Sequence, residues 1–333
     1  SKTEDIFNSK IEFLKNYISS YADYRIPHVL LAWEHLKRND YRKAIDWALA
    51  ACAIDERCMP SWSIMRAAFQ SLRNAGRLEE CLSESEIKRL EPLGYDLRGK
   101  ICPLAFERIF VQSTGEVMCC CPPLVPVAIG NVFEDYNWRE IINSAASREL
   151  RKSIIDGSYK YCNRLTCQDI RNIDGKTFLF DNNESYVDSY GDKLIDPIKN
   201  DAIENFFSNN KKISSIIGTL NLGFDETCNL HCPQCRNGFI SLTEDKKSKL
   251  DHLAKYIIPD MVLSSRKIVL ANTGDPLASK YYRKVLESIS ASTHKNLISI
   301  TIFTNGLLLN QRTWEDLSNI HPFDIGIAVS VDA

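Results

Sequence analysis

Apolar residues recur at helical spacing from the start of the chain. Phe7, Ile11, Leu14 and Ile18 form one stripe, with the period of an amphipathic helix. Pro27 suits a first helical turn, and Val29, Leu30, Leu31 and Trp33 follow it. Asn39-Asp40 interrupts the pattern. Tyr41, Ala44, Ile45, Ala48, Leu49 and Cys52 then make a second stripe. Pro60 opens a further helix through Trp62, Met65, Ala68 and Leu72, and Gly76 precedes a last one with Leu78, Cys81 and Ile87. Residues 1–95 are therefore expected to be helical throughout.

The texture changes over 96–175. Arg108 to Gln112 alternates as a strand does, Ser113-Thr114-Gly115 reads as a turn, and Glu116-Val117-Met118 returns, which predicts a hairpin. Short helices are expected around Trp138 to Ile142 and Ser147 to Ile155. Residues 176–212 are polar, rich in Asn, Asp and Ser, and read as a linker with some local structure. From Ile213 onward strands and helices alternate. Strands are expected over 216–222, 267–271, 297–303 and 325–331, and helices over 250–258, 281–289 and 314–320. That rhythm implies a parallel sheet flanked by helices.

The 333 residues exceed one ordinary compact domain, and 44% of them are hydrophobic, enough for real cores. A formal net charge of -2 lacks the basic footprint of a nucleic-acid partner. No apolar run is long enough to cross a bilayer, and Ser1-Lys2-Thr3-Glu4-Asp5 is no signal-peptide core. A soluble cytoplasmic protein without nucleic-acid or membrane partners is the expectation. Twelve cysteines then change the picture. A disulfide framework is not expected in such a chain. Nine of the twelve fall in three groups: Cys102 with Cys119, Cys120 and Cys121; Cys162 with Cys167; and Cys228, Cys232 and Cys235. Grouped thiols in a reducing compartment point to metal. Cys52, Cys58 and Cys81 read as small core residues of the helical region.

The segment Cys228-Asn229-Leu230-His231-Cys232-Pro233-Gln234-Cys235 has the spacing C-x3-C-x2-C and directly follows the first of the alternating strands. Three thiolates suit three irons of a 4Fe–4S cube and leave the fourth iron open to a substrate or cofactor. The alternatives are chance and a zinc site completed by His231, a residue poorly placed between two ligands. Preceded by Gly223-Phe224-Asp225-Glu226-Thr227, the triad resembles that of radical S-adenosylmethionine (SAM) enzymes. The resemblance covers residues 213–333. It implies that the open iron binds the amino and carboxylate groups of SAM, that an electron cleaves the sulfonium, and that a 5′-deoxyadenosyl radical takes a hydrogen atom from substrate. Gln234 stands where many family members carry an aromatic residue near adenine. Asn272-Thr273-Gly274-Asp275-Pro276-Leu277, ending the second alternating strand, is similar to the family's glycine-rich element at the methionyl ammonium. Glycine lets backbone approach the ligand and a carboxylate complements an ammonium, so Thr273, Gly274, Asp275 and Pro276 are implied SAM contacts. Thr273 and Asp275 replace the commoner Gly and Glu. Phe303-Thr304-Asn305-Gly306 and Ser330-Val331-Asp332 resemble family positions near SAM or substrate and add Asn305 and Ser330. Turn chemistry and a satisfied strand end are the alternatives there. The resemblance further implies a partial (βα) barrel of four strand–helix units. The family barrel has more strands, so the chain is expected to be a fragment of a longer protein.

Cys102-Pro103 opens a second pattern: Gly115-Glu116-Val117-Met118-Cys119-Cys120-Cys121, Gly130-Asn131-Val132, Trp138 to Ser144, Leu150-Arg151, then Cys162 and Cys167. Its order resembles a SPASM domain, the auxiliary-cluster module of many radical SAM enzymes, here ahead of the barrel where it usually follows. A second 4Fe–4S cluster is implied on Cys102, Cys120, Cys162 and Cys167, with Cys119 and Cys121 as substitutes for Cys120. Full protein ligation suits electron transfer or support, and a four-cysteine structural zinc site is the alternative. In the helical region, Asn39-Asp40-Tyr41-Arg42-Lys43-Ala44 is echoed by Gly76-Arg77-Leu78-Glu79-Glu80-Cys81, which resembles tetratricopeptide repeats. A plain helical bundle is the alternative. The expected architecture is thus an all-α repeat-like region (1–95), a small α+β SPASM-like domain (96–175), a linker (176–212) and an α/β radical SAM core (213–333). The expected function is a radical SAM enzyme with a peptide or protein substrate and an electron donor such as a flavodoxin or ferredoxin. The alternative is a non-catalytic iron–sulfur electron-transfer or binding protein on a helical scaffold. No catalytic side chain is assigned.

Overall fold

The computed structural model describes residues 2–98, 101–171, 212–213, 216–233, 235–236, 238, 240–270 and 273–331. The expected linker lies outside them except for Lys212, as do Gln234, Asn272 and Asp332. The chain forms two compact units, Ser1–Cys102 with Pro122–Pro126 and Ser153–Pro197, and Pro103–Cys121 with Val127–Lys152 and Ile198–Ala333. The SPASM-like segment contributes to both.

The first unit begins with six helices: α1 (Lys2–Ser20), α2 (Arg25–Lys37), α3 (Tyr41–Ile54), α4 (Met59–Asn74), α5 (Leu78–Cys81) and α6 (Glu84–Leu90). Ile11 and Leu14 of the predicted first stripe are buried, with Phe7 and Ile18 packed beside them. Asn39 takes φ +60 and Asp40 caps α3 by accepting from Lys43 N, so the expected break stands at the expected place. Ala32, Ala44, Ala48 and Ala68 are fully buried in the main core cluster, where small side chains let α2, α3 and α4 approach closely. Cys52 and Cys81 pack against the same cluster, and Cys58 is buried. The single helix expected after Gly76 is two. Leu82 is extended, and Ser83 starts a new helix with a capping box: its hydroxyl accepts from Glu86 N while its N–H donates to Glu86 Oε2 at 2.8 Å.

The second unit is built on a seven-stranded sheet in the order β3-β2-β1-β4-β5-β6-β7. The strands are β1 (Arg108–Gln112), β2 (Glu116–Met118), β3 (Ala128–Asn131), β4 (Ile217–Gly223), β5 (Ser265–Leu270), β6 (Ser299–Thr304) and β7 (Asp324–Val329). β1, β2 and β3 pair antiparallel, and the β1–β4–β5–β6–β7 run is parallel. The expected hairpin is present, and so are the four expected later strands. β1 was expected to alternate, yet four of its five residues are buried. Its other edge pairs with β4, from Arg108 opposite Thr219 to Gln112 opposite Gly223, which places it inside the sheet. The strands of the cysteine segment and those of 213–333 therefore share one mixed, mostly parallel sheet, and among the described residues this sheet does not close into the expected barrel.

The helix expected over 250–258 begins earlier. Thr243 accepts from Lys246 N and starts Glu244–His252, which continues as a π turn (Leu253–Ile257) and a final α segment, Ile258–Leu263. The π turn ends two residues before Pro259, which has no N–H for the ladder and crowds the turn before it. Leu250, Leu253, Met261 and Val262 of this helix are buried, as are Tyr281, Tyr282, Val285 and Leu286 of the helix Lys280–Ser288. No helix among the described residues is long and apolar enough to cross a membrane.

Candidate iron–sulfur sites

At the C-terminal edge of the parallel strands, the chain leaves β4 through Phe224 and Asp225 and reaches Cys228. Asp225 is fully buried. Its Oδ1 accepts from the Thr227 amide and hydroxyl at 3.2 and 2.9 Å, and its Oδ2 accepts from the Ser279 hydroxyl. Tyr282 OH donates to Leu222 O and receives the Asp225 amide. The loop that carries the triad is thus held by its own strand and the helix behind it.

The loop after β5 is stapled to the same segment. Gly274 adopts φ +74, and a Cβ there would lie 2.6 Å from Asp225 O and 2.7 Å from Thr227 O. Only glycine satisfies both the backbone angle and the contact. Thr273 Oγ1 donates to Gly223 O at 3.1 Å, and Asp275 N to Thr227 O at 2.8 Å. The Asp275 carboxylate was expected to complement an ammonium. It is 1% exposed, and both oxygens are used within the chain: Oδ1 accepts from Leu277 N at 2.9 Å, and Oδ2 from Thr304 Oγ1 and Asn305 N, each at 2.8 Å. Asp275 is a strut between the β5 and β6 loops. Pro276 is buried.

Asn305, at the end of β6, closes the circuit. Its Nδ2 donates to Asn229 Oδ1 at 2.9 Å and to Cys228 Sγ at 3.7 Å. Ser330 follows β7 with an exposed side chain and continues the ladder by donating its N–H to Thr304 O at 2.9 Å. Of the expected SAM contacts, the structure gathers Thr273, Gly274, Asp275 and Asn305 around the triad loop.

The triad sulfurs have donors of their own. Leu230 N reaches Cys228 Sγ at 3.4 Å, and Arg236 reaches Cys235 Sγ at 3.6 Å while its other arm donates to Glu226 O at 2.8 Å. Cys228 and Cys232 are half-buried and Cys235 is exposed. N–H donors and a guanidinium at sulfur are what the ligand sulfurs of an iron–sulfur cluster accept, so the donor set fits such a cluster in its chemistry. Among the described residues, no group of three or more His, Cys, Asp or Glu side chains stands arranged to hold a metal ion.

In the first unit, Tyr159 neighbours Cys102, Cys162 and Cys167. This residue is 1% exposed at φ +43, its hydroxyl is bonded to the Cys102 backbone, and it is coupled electrostatically to all three thiols. Backbone bonds set the spacing: Cys162 N donates to Tyr159 O at 3.1 Å and Cys167 N to Asn163 O at 3.0 Å. Burial, then the neighbouring Cys167, pushes the Cys162 thiol up to about 12, against the pull of Arg164 and Arg66.

In the second unit, Cys119 is fully buried and its sulfur is engaged. It lies 3.8 Å from Ser147 Oγ and receives Arg151 Nη2 at 3.7 Å. Arg151 is itself fully buried and donates to Ala105 O and Ile142 O at 2.9 and 2.7 Å. Cys120 is 8% exposed and Cys121 half-buried. The Arg151–Cys119 pair has no local sequence signal, because its partners are scattered along the segment.

Comparison with known families adds the deciding observation. Residues 102–168 match SPASM, an iron–sulfur cluster-binding domain. The chain thus carries a cluster-binding domain typical of radical SAM enzymes. The same comparison identifies no catalytic domain. No curated protein and no solved structure matches the chain.

Proposed function

We propose that this chain is a radical SAM enzyme whose core is formed by β4 to β7 as part of a (βα) barrel, with the SPASM cluster as an auxiliary centre. The observation that carries the reading is the lacing of the Cys228 loop to Gly274, Asp275 and Asn305 at the ends of three adjacent parallel strands. Ligand sites of parallel α/β sheets lie at that edge.

Cys228, Cys232 and Cys235 would hold the cluster. When bound, it supplies the electron that cleaves the sulfonium of SAM and so yields a hydrogen-abstracting radical. The protein's own work is positional. Leu230 N–H, Asn305 and Arg236 donate toward the sulfurs. Gly274 keeps the β5 loop close against the triad loop, and Asp225 and Asp275 fix both without facing a ligand. Cys102, Cys162 and Cys167 would ligate the auxiliary cluster, with the fourth thiolate assigned from sequence to Cys120. The proposal includes a cytoplasmic setting, a flavodoxin- or ferredoxin-like electron donor and a peptide or protein substrate.

A second reading is favoured by one finding: the matched family is a cluster-binding domain alone. It makes the chain an iron–sulfur electron-transfer protein on a helical scaffold. Anaerobic reconstitution separates the two. The proposed enzyme forms 5′-deoxyadenosine from SAM under reduction and loses this on joint replacement of Cys228, Cys232 and Cys235 by Ala, while keeping about four irons per chain. Iron without SAM cleavage, in the 333-residue chain and in any longer parent, supports the second reading. Zinc in place of iron defeats both.

A further inference from the structure

Three segments of the first unit enclose a cavity of about 420 Å³: the face of α4 that carries Arg66 and Gln70, residues 93–98, and the turn 156–158. Small-molecule sites run to roughly 300–1,000 Å³, so the space suits a small ligand. Its walls are tied together. Arg73 of α4 donates from Nη1 to Gly94 O at 3.0 Å. Gly157 takes φ +74, and a Cβ there would lie 2.7 Å from the Arg98 backbone, so the turn packs directly on residues 93–98. Arg164, 6% exposed, bridges the same two segments, from Nη1 to Tyr95 O at 3.1 Å and from Nη2 to Ser158 O at 2.8 Å. Arg66 Nη1 donates to that same Ser158 oxygen at 2.7 Å. The cavity is therefore built into the backbone around it.

The lining is rich in donors. It holds three arginines and two aspartates, one positive charge in excess. Both aspartates have partners. Asp96 takes the Arg98 fork, Nε to Oδ1 at 2.9 Å and Nη2 to Oδ2 at 2.6 Å, and Asp156 Oδ1 accepts from Ser158 N at 2.8 Å. The excess charge falls on Arg66 and Arg164, whose shared acceptor is a neutral carbonyl. Two guanidiniums held that close repel each other, and an anion beside them offsets the repulsion. Half-buried Arg66 spends only Nη1 on the carbonyl. Among the described residues its Nε and Nη2 donate to nothing, and neither does the exposed Gln70 amide one helical turn further on. Residues four apart share a helix face, so both sets of donors meet the cavity from one side. The Nε–Nη2 edge of a guanidinium matches two oxygens of a carboxylate or phosphate.

We infer that this cavity is a binding site for an oxyanion, the phosphate or carboxylate group of a small ligand, with Arg66 and Gln70 as the residues that meet it. Arg164 is a positioning residue. It fixes the Ser158 carbonyl on which Arg66 leans and so aims the free guanidinium edge. The helical region then carries a ligand site of its own, completed by residues 93–98 and by the turn ahead of Cys162.

The test titrates the full chain with inorganic phosphate and, separately, with acetate, each against chloride at equal ionic strength so that general screening cancels. Binding is read by calorimetry and by the thermal unfolding midpoint, which a ligand of the folded state raises. The expected result is a saturable response to at least one probe. Phosphate alone assigns a phosphate ester, acetate alone a carboxylate, and both an oxyanion site without preference. Arg66→Gln should weaken binding about tenfold or more, the loss of a charge-assisted pair. Gln70→Glu sits on an exposed helix face, places a carboxylate at the site and should abolish the response. Arg89→Gln, an exposed charge outside the lining, should leave it unchanged. Should Arg66→Gln fail to fold, Gln70→Glu decides. No saturable response to either probe overturns the inference, and so does a response that survives in Gln70→Glu. Equal weakening in Arg89→Gln also overturns it, because the chain would then be answering through its net charge.

Discussion

Asn305 Nδ2 lies 3.7 Å from Cys228 Sγ and 2.9 Å from Asn229 Oδ1, so one side chain from the end of β6 addresses both the first cysteine of the triad and its neighbour. Its backbone N–H is held by Asp275. The sulfur's surroundings are therefore set by two other strands. Asn305→Ala should leave the fold intact, because the lost bonds are half-buried and worth about 1 kcal/mol each. It should weaken retention of the SAM-site cluster, read as iron per chain after anaerobic gel filtration.

Gly274→Ala should be more damaging than its size suggests. The new Cβ meets two carbonyl oxygens inside 2.8 Å, and φ is +74. Strain of about 1–3 kcal/mol is expected from the backbone angle alone, and the clash adds to it. A lowered urea midpoint with an unchanged m-value is the expected signature. Gly238, around which a Cβ meets nothing within 4 Å, provides the control substitution.

Asp275→Asn tests the strut. The amide cannot accept from both Thr304 and Asn305 while also receiving Leu277 N. A loss of roughly 1–3 kcal/mol is expected, measured by chemical denaturation. A SAM-binding defect without loss of stability would instead restore the ammonium-facing role.

Glu107, ahead of β1, gives the second unit a pH dependence. Burial raises its carboxyl from 4.5 to about 7, against the pull of Arg266 and Arg108. The folded state then holds a proton that the unfolded state has released, so stability falls as pH rises from 4.5 to about 7 and levels off above. Glu107→Gln should flatten this window and add on the order of 1–3 kcal/mol above neutrality. Denaturant midpoints of the two proteins between pH 5 and 8, a span chosen to bracket the shift, are the check.

Cys119 and Cys120 should behave differently although they are adjacent. Cys119 Sγ is engaged with Arg151 and Ser147. Cys119→Ser should keep the auxiliary iron at about 1 kcal/mol of stability or less, whereas Cys120→Ser should lose iron. Equal loss in both would end the distinction.

The parallel strands were legible within a few residues because β4 to β7 are short apolar runs with helices between them. The helix Glu244–His252 was expected too late in the chain. Its first turns are charged and carry no apolar period, and the sign of its start is the Thr243 cap. The capping box Ser83/Glu86, which divides α5 from α6, was likewise written in two residues. At the candidate sites the cysteines and Gly274 could be named in advance, since spacing and a required backbone angle are local properties. The inward use of Asp275 and the grip of Arg151 on Cys119 depend on residues far apart in the chain. No window of sequence contains them.

The pairing of β1 with β4 bears on how the matched segment can be handled in isolation. Residues 102–168 look like a portable module, yet β1 borrows its parallel neighbour from 217–223. Excised at the family boundaries, the segment would present β1 as a raw edge, with the backbone groups that face β4 unsatisfied beside buried Ile109, Phe110 and Val111. Such an edge recruits other chains. During synthesis the hairpin must likewise wait for β4 to emerge, a long-range closure that slows folding.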